Sequence, residues 1–105
     1  MSQFTIYDNP NPTTKKAYPF LMDVQYPLLD SLATRLVIPL TMKANFKGKL
    51  IKELNPSIKI KNTEYVLLIQ QLAAIQKENL GSAVCECSDN HQAIIYGIDF
   101  LITGF

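Results

Sequence analysis

A chain of 105 residues with 48% hydrophobic and 18% charged residues has room for one domain with a real core and is too apolar to remain disordered. Its net charge is +1, and Arg35 is its only arginine. With a single arginine and few aromatic residues among its basic ones, nucleic-acid readout is disfavoured, because that chemistry uses arginine forks and stacked rings.

Gln3 to Tyr7 alternates polar and apolar residues, the pattern of a half-buried strand. Asp8 to Thr14 carries two prolines and two asparagines and predicts a turn. Tyr18 to Gln25 predicts a second strand, with a proline near its start where a missing donor is tolerated. Tyr26 to Ala33 is irregular and holds an adjacent apolar pair, Leu28 and Leu29, which either anchors the core or meets a partner. Thr34 to Leu40 is β-branched and apolar and predicts a strand ending near Pro39. Arg35 at its start is expected to form a structural salt bridge with Asp23, Asp30 or Glu64.

Met42 to Leu54 is lysine-rich, with room for a short helical turn. Ser57 to Ile60 predicts a short strand and Lys61 to Thr63 a turn. Glu64 to Gln76 is ambiguous. Its Leu, Gln and Ala favour a helix, whereas Tyr65 to Ile69 is apolar throughout and suits a buried strand. Ala83 to Cys87 predicts another strand. Its two cysteines, Cys85 and Cys87, share one face at a spacing that is neither a disulfide framework nor a four-ligand zinc site. They read as small apolar fillers in a reducing compartment, and no metal or cofactor is expected.

Ser88 is expected to cap a final helix, with Asp89 in its first turn. Ile94, Ile98, Leu101, Ile102 and Phe105 form one apolar stripe, and Gly104 marks the stop. Ile95, Tyr96 and Phe100 lie off that stripe, so the helix has apolar surface to spare for a second contact. His91 is expected to be exposed, without a functional role. Charge is unevenly spread: Lys43 to Lys61 contains six lysines and one acid, and the stretch after it is acidic. The basic stretch is either a solvated face or a surface for an acidic partner. The N-terminus lacks a signal-peptide pattern, and no apolar run approaches the ~20 residues of a membrane helix, so no membrane association and a cytoplasmic location are expected.

Gln3-Phe4-x-Ile6-Tyr7, Asp23-Val24-Gln25, Arg35-Leu36-Val37-Ile38-Pro39-Leu40, Glu53-Leu54-x-Pro56-x-Ile58-x-Ile60 and Ala93-Ile94 through Ile98 to Gly104-Phe105 occur in this order. Together they resemble the CcdB family of toxins from bacterial toxin–antitoxin systems, along the whole chain. The resemblance implies a single domain over residues 1–105. Its fold would be mainly β with a C-terminal helix: an SH3-like β-barrel of the CcdB/Kid/MazF-like toxin type with a small additional antiparallel sheet, assembled as a homodimer. It also implies that Tyr65 to Ile69 is a strand.

In function, the resemblance implies a protein that acts by binding and performs no chemistry. It would bind the DNA gyrase A subunit, trap the gyrase–DNA cleavage complex and be neutralised by a cognate CcdA-like antitoxin, with no direct nucleic-acid binding of its own. The family's gyrase-contacting positions fall on Leu28, Leu29, Asp99, Ile102, Thr103, Gly104 and Phe105. Of the family's Trp-Gly-Ile tail only Gly104 is identical, and Asp99 and Ile102 stand where the family has Asn and an aromatic residue. A tail tryptophan stacked on an arginine contributes roughly 0.5–2 kcal/mol, which Thr103 does not supply. Asp99 could pair with an arginine instead. Two other functions are compatible with such a chain. One is a ribonuclease toxin on the same barrel, for which Arg35 and His91 are the only residues of their kinds. The other is a non-toxic relative that only binds an antitoxin.

Overall fold

The structure, a computed structural model, describes residues 3–104. Among these, seven strands precede one α-helix: β1 (Thr5–Asp8), β2 (Phe20–Asp23), β3 (Thr34–Met42), β4 (Ser57–Ile60), β5 (Thr63–Leu67), β6 (Ala73–Gln76), β7 (Ala83–Glu86) and α1 (His91–Thr103). The strands form a curled antiparallel half-barrel in the order β4-β5-β3-β2-β1-β7, with β6 also paired to β3.

The long strand β3 organises the sheet. One edge pairs with β2, placing Leu21 opposite Pro39 and Met22 opposite Ile38. The other edge pairs with β6 along 34–37 and with β5 along 40–42. The strand therefore runs past Pro39, where the sequence places its end. The Pro39 carbonyl accepts the Leu68 N–H at 3.0 Å. The proline's missing donor faces the same edge, in the gap where the partner changes from β6 to β5, so no ladder bond is lost. The expected smaller sheet is β4 and β5 on the far end of β3, hydrogen-bonded to it without a break. Lys61 and Asn62 close that hairpin with φ of 49° and 69°, the paired left-handed conformation of a two-residue turn.

The ambiguous segment is β5, a single 3-10 turn over Ile69–Gln71, and β6. Propensity favours a helix here, but Leu67 and Ile69 are fully buried core residues and burial decides. Alternation divides the sheet into two faces. Phe4, Ile6, Met22, Val24, Ile38, Leu40, Ile58, Ile60 and Leu67 join Ile69 and Ile94 in the core cluster. The opposite face carries Tyr7, Leu21 and Val37, all buried, and the polar pair Asp23 and Arg35. The loop between β1 and β2 is tied by Asn9, whose Nδ2 donates to Thr14 Oγ1 at 3.0 Å and to the Tyr18 carbonyl at 2.8 Å.

The helix departs from expectation at its start and in the face it packs. Ser88 is not its cap: Ser88–Asn90 forms a 3-10 turn, Asn90 occupies the cap position without a side-chain bond, and Asp89 precedes the helix proper. The packed side is Ile94 and Gly97, both buried, with Ile98 and Phe100 half-buried. Leu101 and Ile102 from the predicted stripe are exposed, because the close packing is set by the glycine and not by the apolar spacing. A Cβ at Gly97 would lie 2.4 Å from Ile69 Cδ1 and 2.7 Å from the Glu53 carbonyl oxygen. No helix among the described residues is long and apolar enough to cross a membrane.

Alanine at position 97 gains up to about 1 kcal/mol of helix propensity. The contact with a backbone carbonyl cannot relax by a rotamer change, and such overpacking costs roughly 1–3 kcal/mol. Gly97→Ala is therefore expected to lower stability in urea denaturation; equal or greater stability would show that α1 does not pack this closely.

Candidate partner-binding site

Five polar side chains fasten a turn that buries none of its large apolar ones. Pro27–Leu29 forms a 3-10 turn between β2 and β3, started by a proline whose fixed φ suits its first position. Tyr26, Leu28, Leu29 and Leu32 are 58, 79, 46 and 48% exposed. The turn is held from behind. Arg35 Nε donates to Asp23 Oδ2 at 3.0 Å, Nη2 donates to the same oxygen at 2.5 Å, and Nη1 donates to Asp30 Oδ1. Gln25 Nε2 donates to the Leu29 carbonyl at 3.0 Å, and its Oε1 accepts the Leu36 N–H at 3.0 Å. Lys77 Nζ donates to the Asp30 carbonyl at 2.6 Å. Two of the three expected acids thus pair with Arg35, while Glu64 pairs with Lys43 at 3.2 Å.

The second group lies on the last turns of α1. Asp99 and Thr103 are exposed, and Ile102 is 74% exposed. Thr103 Oγ1 donates to the Asp99 carbonyl at 2.7 Å, a bond back along the helix that fixes its rotamer. Gly104 has a φ of 78° and donates its N–H to the Phe100 carbonyl at 2.9 Å, so it ends the helix in the left-handed conformation. Phe105 lies outside the described residues.

The six predicted positions among the described residues therefore fall on two elements, the 27–29 turn and the end of α1 with its cap. The helix packs mainly on the 69–71 and 88–90 turns. The sequence reading missed Tyr26 and Leu32, which extend the exposed apolar surface beside Leu28 and Leu29, and Gln25 and Lys77, which tie the turn down. The signal for Tyr26 and Leu32 was present only as an irregular apolar segment. Ile95 and Tyr96 are exposed as the surplus apolar side of the helix predicts.

No cluster of three or more metal-ligating side chains occurs among the described residues. Cys85 and Cys87 are half-buried free thiols against the core. Burial, with the neighbouring Cys85 adding to it, pushes the Cys87 thiol up to about 11, so it stays protonated and unreactive at neutral pH. The exposed His91 packs against Phe4 with ring centroids 4.9 Å apart and the rings tilted by 44°. A groove of about 720 Å³ lies between the 9–18 loop and the face bearing Leu21, Val37 and Ile75, and none of the six described positions lines it.

The sequence profile of the family described as CcdB protein matches residues 3–104. The chain belongs to the CcdB family. No curated protein matches it by sequence. Among solved structures, one titled as an endoribonuclease in complex with its cognate antitoxin from Mycobacterial species superposes with a TM-score of 0.74 at 13% identity, covering 97% of this chain and 94% of that one. One titled as the crystal structure of an Mtb toxin gives a TM-score of 0.69 at 14% identity, covering 91% and 98%. At these identities the likeness is one of fold.

In this CcdB-family chain the turn and the helix end are thus exposed at the positions the family resemblance singled out. The hydrogen bond from Arg35 holds the Asp30 carboxyl below its ordinary value. A carboxyl with a depressed folded-state pKa adds stability above its unfolded value, near pH ~4, and that stability is lost as the pH falls through the folded value. Asp30→Asn is expected to flatten the loss of stability on acidification below about pH 4. Identical pH profiles for the two proteins in urea denaturation would place the acid sensitivity elsewhere.

Proposed function

We propose that this chain is the toxin of a type II toxin–antitoxin pair that binds the DNA gyrase A subunit, traps the gyrase–DNA cleavage complex, and is neutralised by a cognate antitoxin. It works as a homodimer and by binding alone. One observation carries this reading. The two most exposed large hydrophobic side chains of the described chain are Leu28 and Ile102, and both stand at family gyrase-contacting positions. A stable monomer gains nothing from holding such side chains in water, so their exposure supports a contact surface. Family membership supports the toxin class. The antitoxin would approach as a segment that folds on binding, and the exposed lysines of the 43–61 stretch would favour an acidic one.

The ribonuclease reading draws on the fold shared with a structure titled as an endoribonuclease. Cleavage of RNA needs a proton-transfer pair and charge stabilisation at the phosphate. Here the Arg35 side chain has no exposed surface and is engaged by Asp23 and Asp30, so meeting a phosphate would require breaking both pairs.

The deciding assay adds purified protein to gyrase from its own host with supercoiled DNA. Cleaved DNA is expected to accumulate with the full chain, and deletion of residues 103–105 should raise the required concentration by roughly tenfold or more. No cleaved product at high micromolar protein would overturn the gyrase reading. Tight antitoxin binding in that case would leave a non-toxic antitoxin binder, and digestion of RNA that disappears in Arg35→Ala would leave a nuclease.

A further inference from the structure

The turn presenting Leu28 and Leu29 poses a physical problem. Segments are ordinarily pinned by burying apolar side chains, and this one buries none of its four large ones. Its own backbone bonds are local: Leu29 N–H to the Tyr26 carbonyl at 2.9 Å, Asp30 N–H to Pro27 at 3.1 Å and Leu32 N–H to Leu29 at 3.0 Å. They shape the turn without fixing its direction relative to the sheet. Direction comes from the polar side chains behind it, and the two acids among them, Asp23 and Asp30, converge on Arg35. We propose that Arg35 is a positioning residue of the partner contact: through Asp30 it sets the direction in which Leu28 and Leu29 face the partner, and through Asp23 it anchors that direction to the sheet. This rests on the reading of the turn as a partner contact.

Stability alone does not explain an arginine here. A buried ion cluster carries a desolvation cost, and a well-packed apolar residue of similar volume stabilises a core equally or better. An apolar residue cannot hold the Asp30 carboxylate. A lysine offers a point charge, whereas the planar fork reaches both acids at once from fixed directions. Gln25 repeats the design one layer along. Its backbone N–H donates to Asp23 Oδ1 at 3.0 Å, and its side chain joins β3 at Leu36 to the turn at Leu29. A turn held in its binding geometry loses less entropy on association, so affinity is gained without a new contact.

The test uses the full chain and Asp30→Ala. The Asp30 side chain is 34% exposed, and its removal leaves the Arg35–Asp23 pair and the core in place. Native-state hydrogen exchange is followed at the amides of Leu29, Asp30 and Leu32. Exchange at these three is expected to rise roughly tenfold or more, with β3 and β5 amides unchanged. The protein concentration giving half-maximal gyrase-dependent DNA cleavage should rise about tenfold in the same variant, as expected where a contact must be re-ordered on binding. Asp30→Asn, which can still accept the guanidinium bond, should fall between the two in both measurements. Unchanged exchange at the three amides would overturn the proposal. So would a uniform rise along the chain, since that would mark a purely structural residue, and so would loosened exchange with undiminished potency. If the full chain produces no cleavage with gyrase, the partner reading falls, and the exchange data separately decide whether Asp30 and Arg35 fix the turn.

Discussion

The side of this protein proposed to face a partner depends on one buried charge. Arg35 has no exposed side-chain surface, and its guanidinium lies between Asp23 at the end of β2 and Asp30 behind the 27–29 turn. Burial works against the charged form, and the hydrogen bonds to Asp30 and Asp23 outweigh it, so the guanidinium is held more firmly protonated than in water. The cluster extends to Tyr7 on the neighbouring strand, whose phenol is pushed up by burial and by the Asp23 charge. Within it the Arg35–Asp23 pair tolerates no missing member, because either charge left alone at this fully buried position would be unpaired and poorly solvated. The turn is thereby tied to the centre of the sheet.

The other side follows from close approach. β3 joins every part of the sheet by changing partners at Pro39, and α1 closes the core by setting Gly97 against Ile69 and Glu53. With Ile94 and Gly97 as its buried residues, the helix leaves Ile95, Tyr96, Leu101 and Ile102 exposed. The two exposed apolar groups thus have different physical origins. One is a turn held by ions, and the other is a helix whose tight seat uses a narrow stripe of its surface.

Much of the fold was legible locally. Ser57–Ile60 was read with its observed bounds, and the Lys61–Asn62 turn, the helix over the last residues and its stop at Gly104 all appear where short-range chemistry put them. Local reading fell short where a distant partner decides. The run past Pro39 depends on which edge of β3 is unpaired, the strands of 63–76 depend on burial of Leu67 and Ile69, and the helix face depends on Gly97 meeting Glu53. The pairing of Arg35 with Asp23 and Asp30 was foreseeable as one of three choices, since a lone arginine at a strand start seeks nearby acids. The positions proposed for the contact came from the family resemblance, as composition and periodicity offered only surplus apolar surface. Gln25 and Lys77 left no such trace, because they act through backbone groups.

The account stands on where the partner sits. Hydrogen–deuterium exchange of the full chain, free and with purified gyrase A subunit, tests this most directly. Protection on binding is expected at 28–32 and at 99–104, with the groove lined by residues 9–14 and 78–79 unchanged. Protection confined to that groove, or none at saturating gyrase, would contradict it.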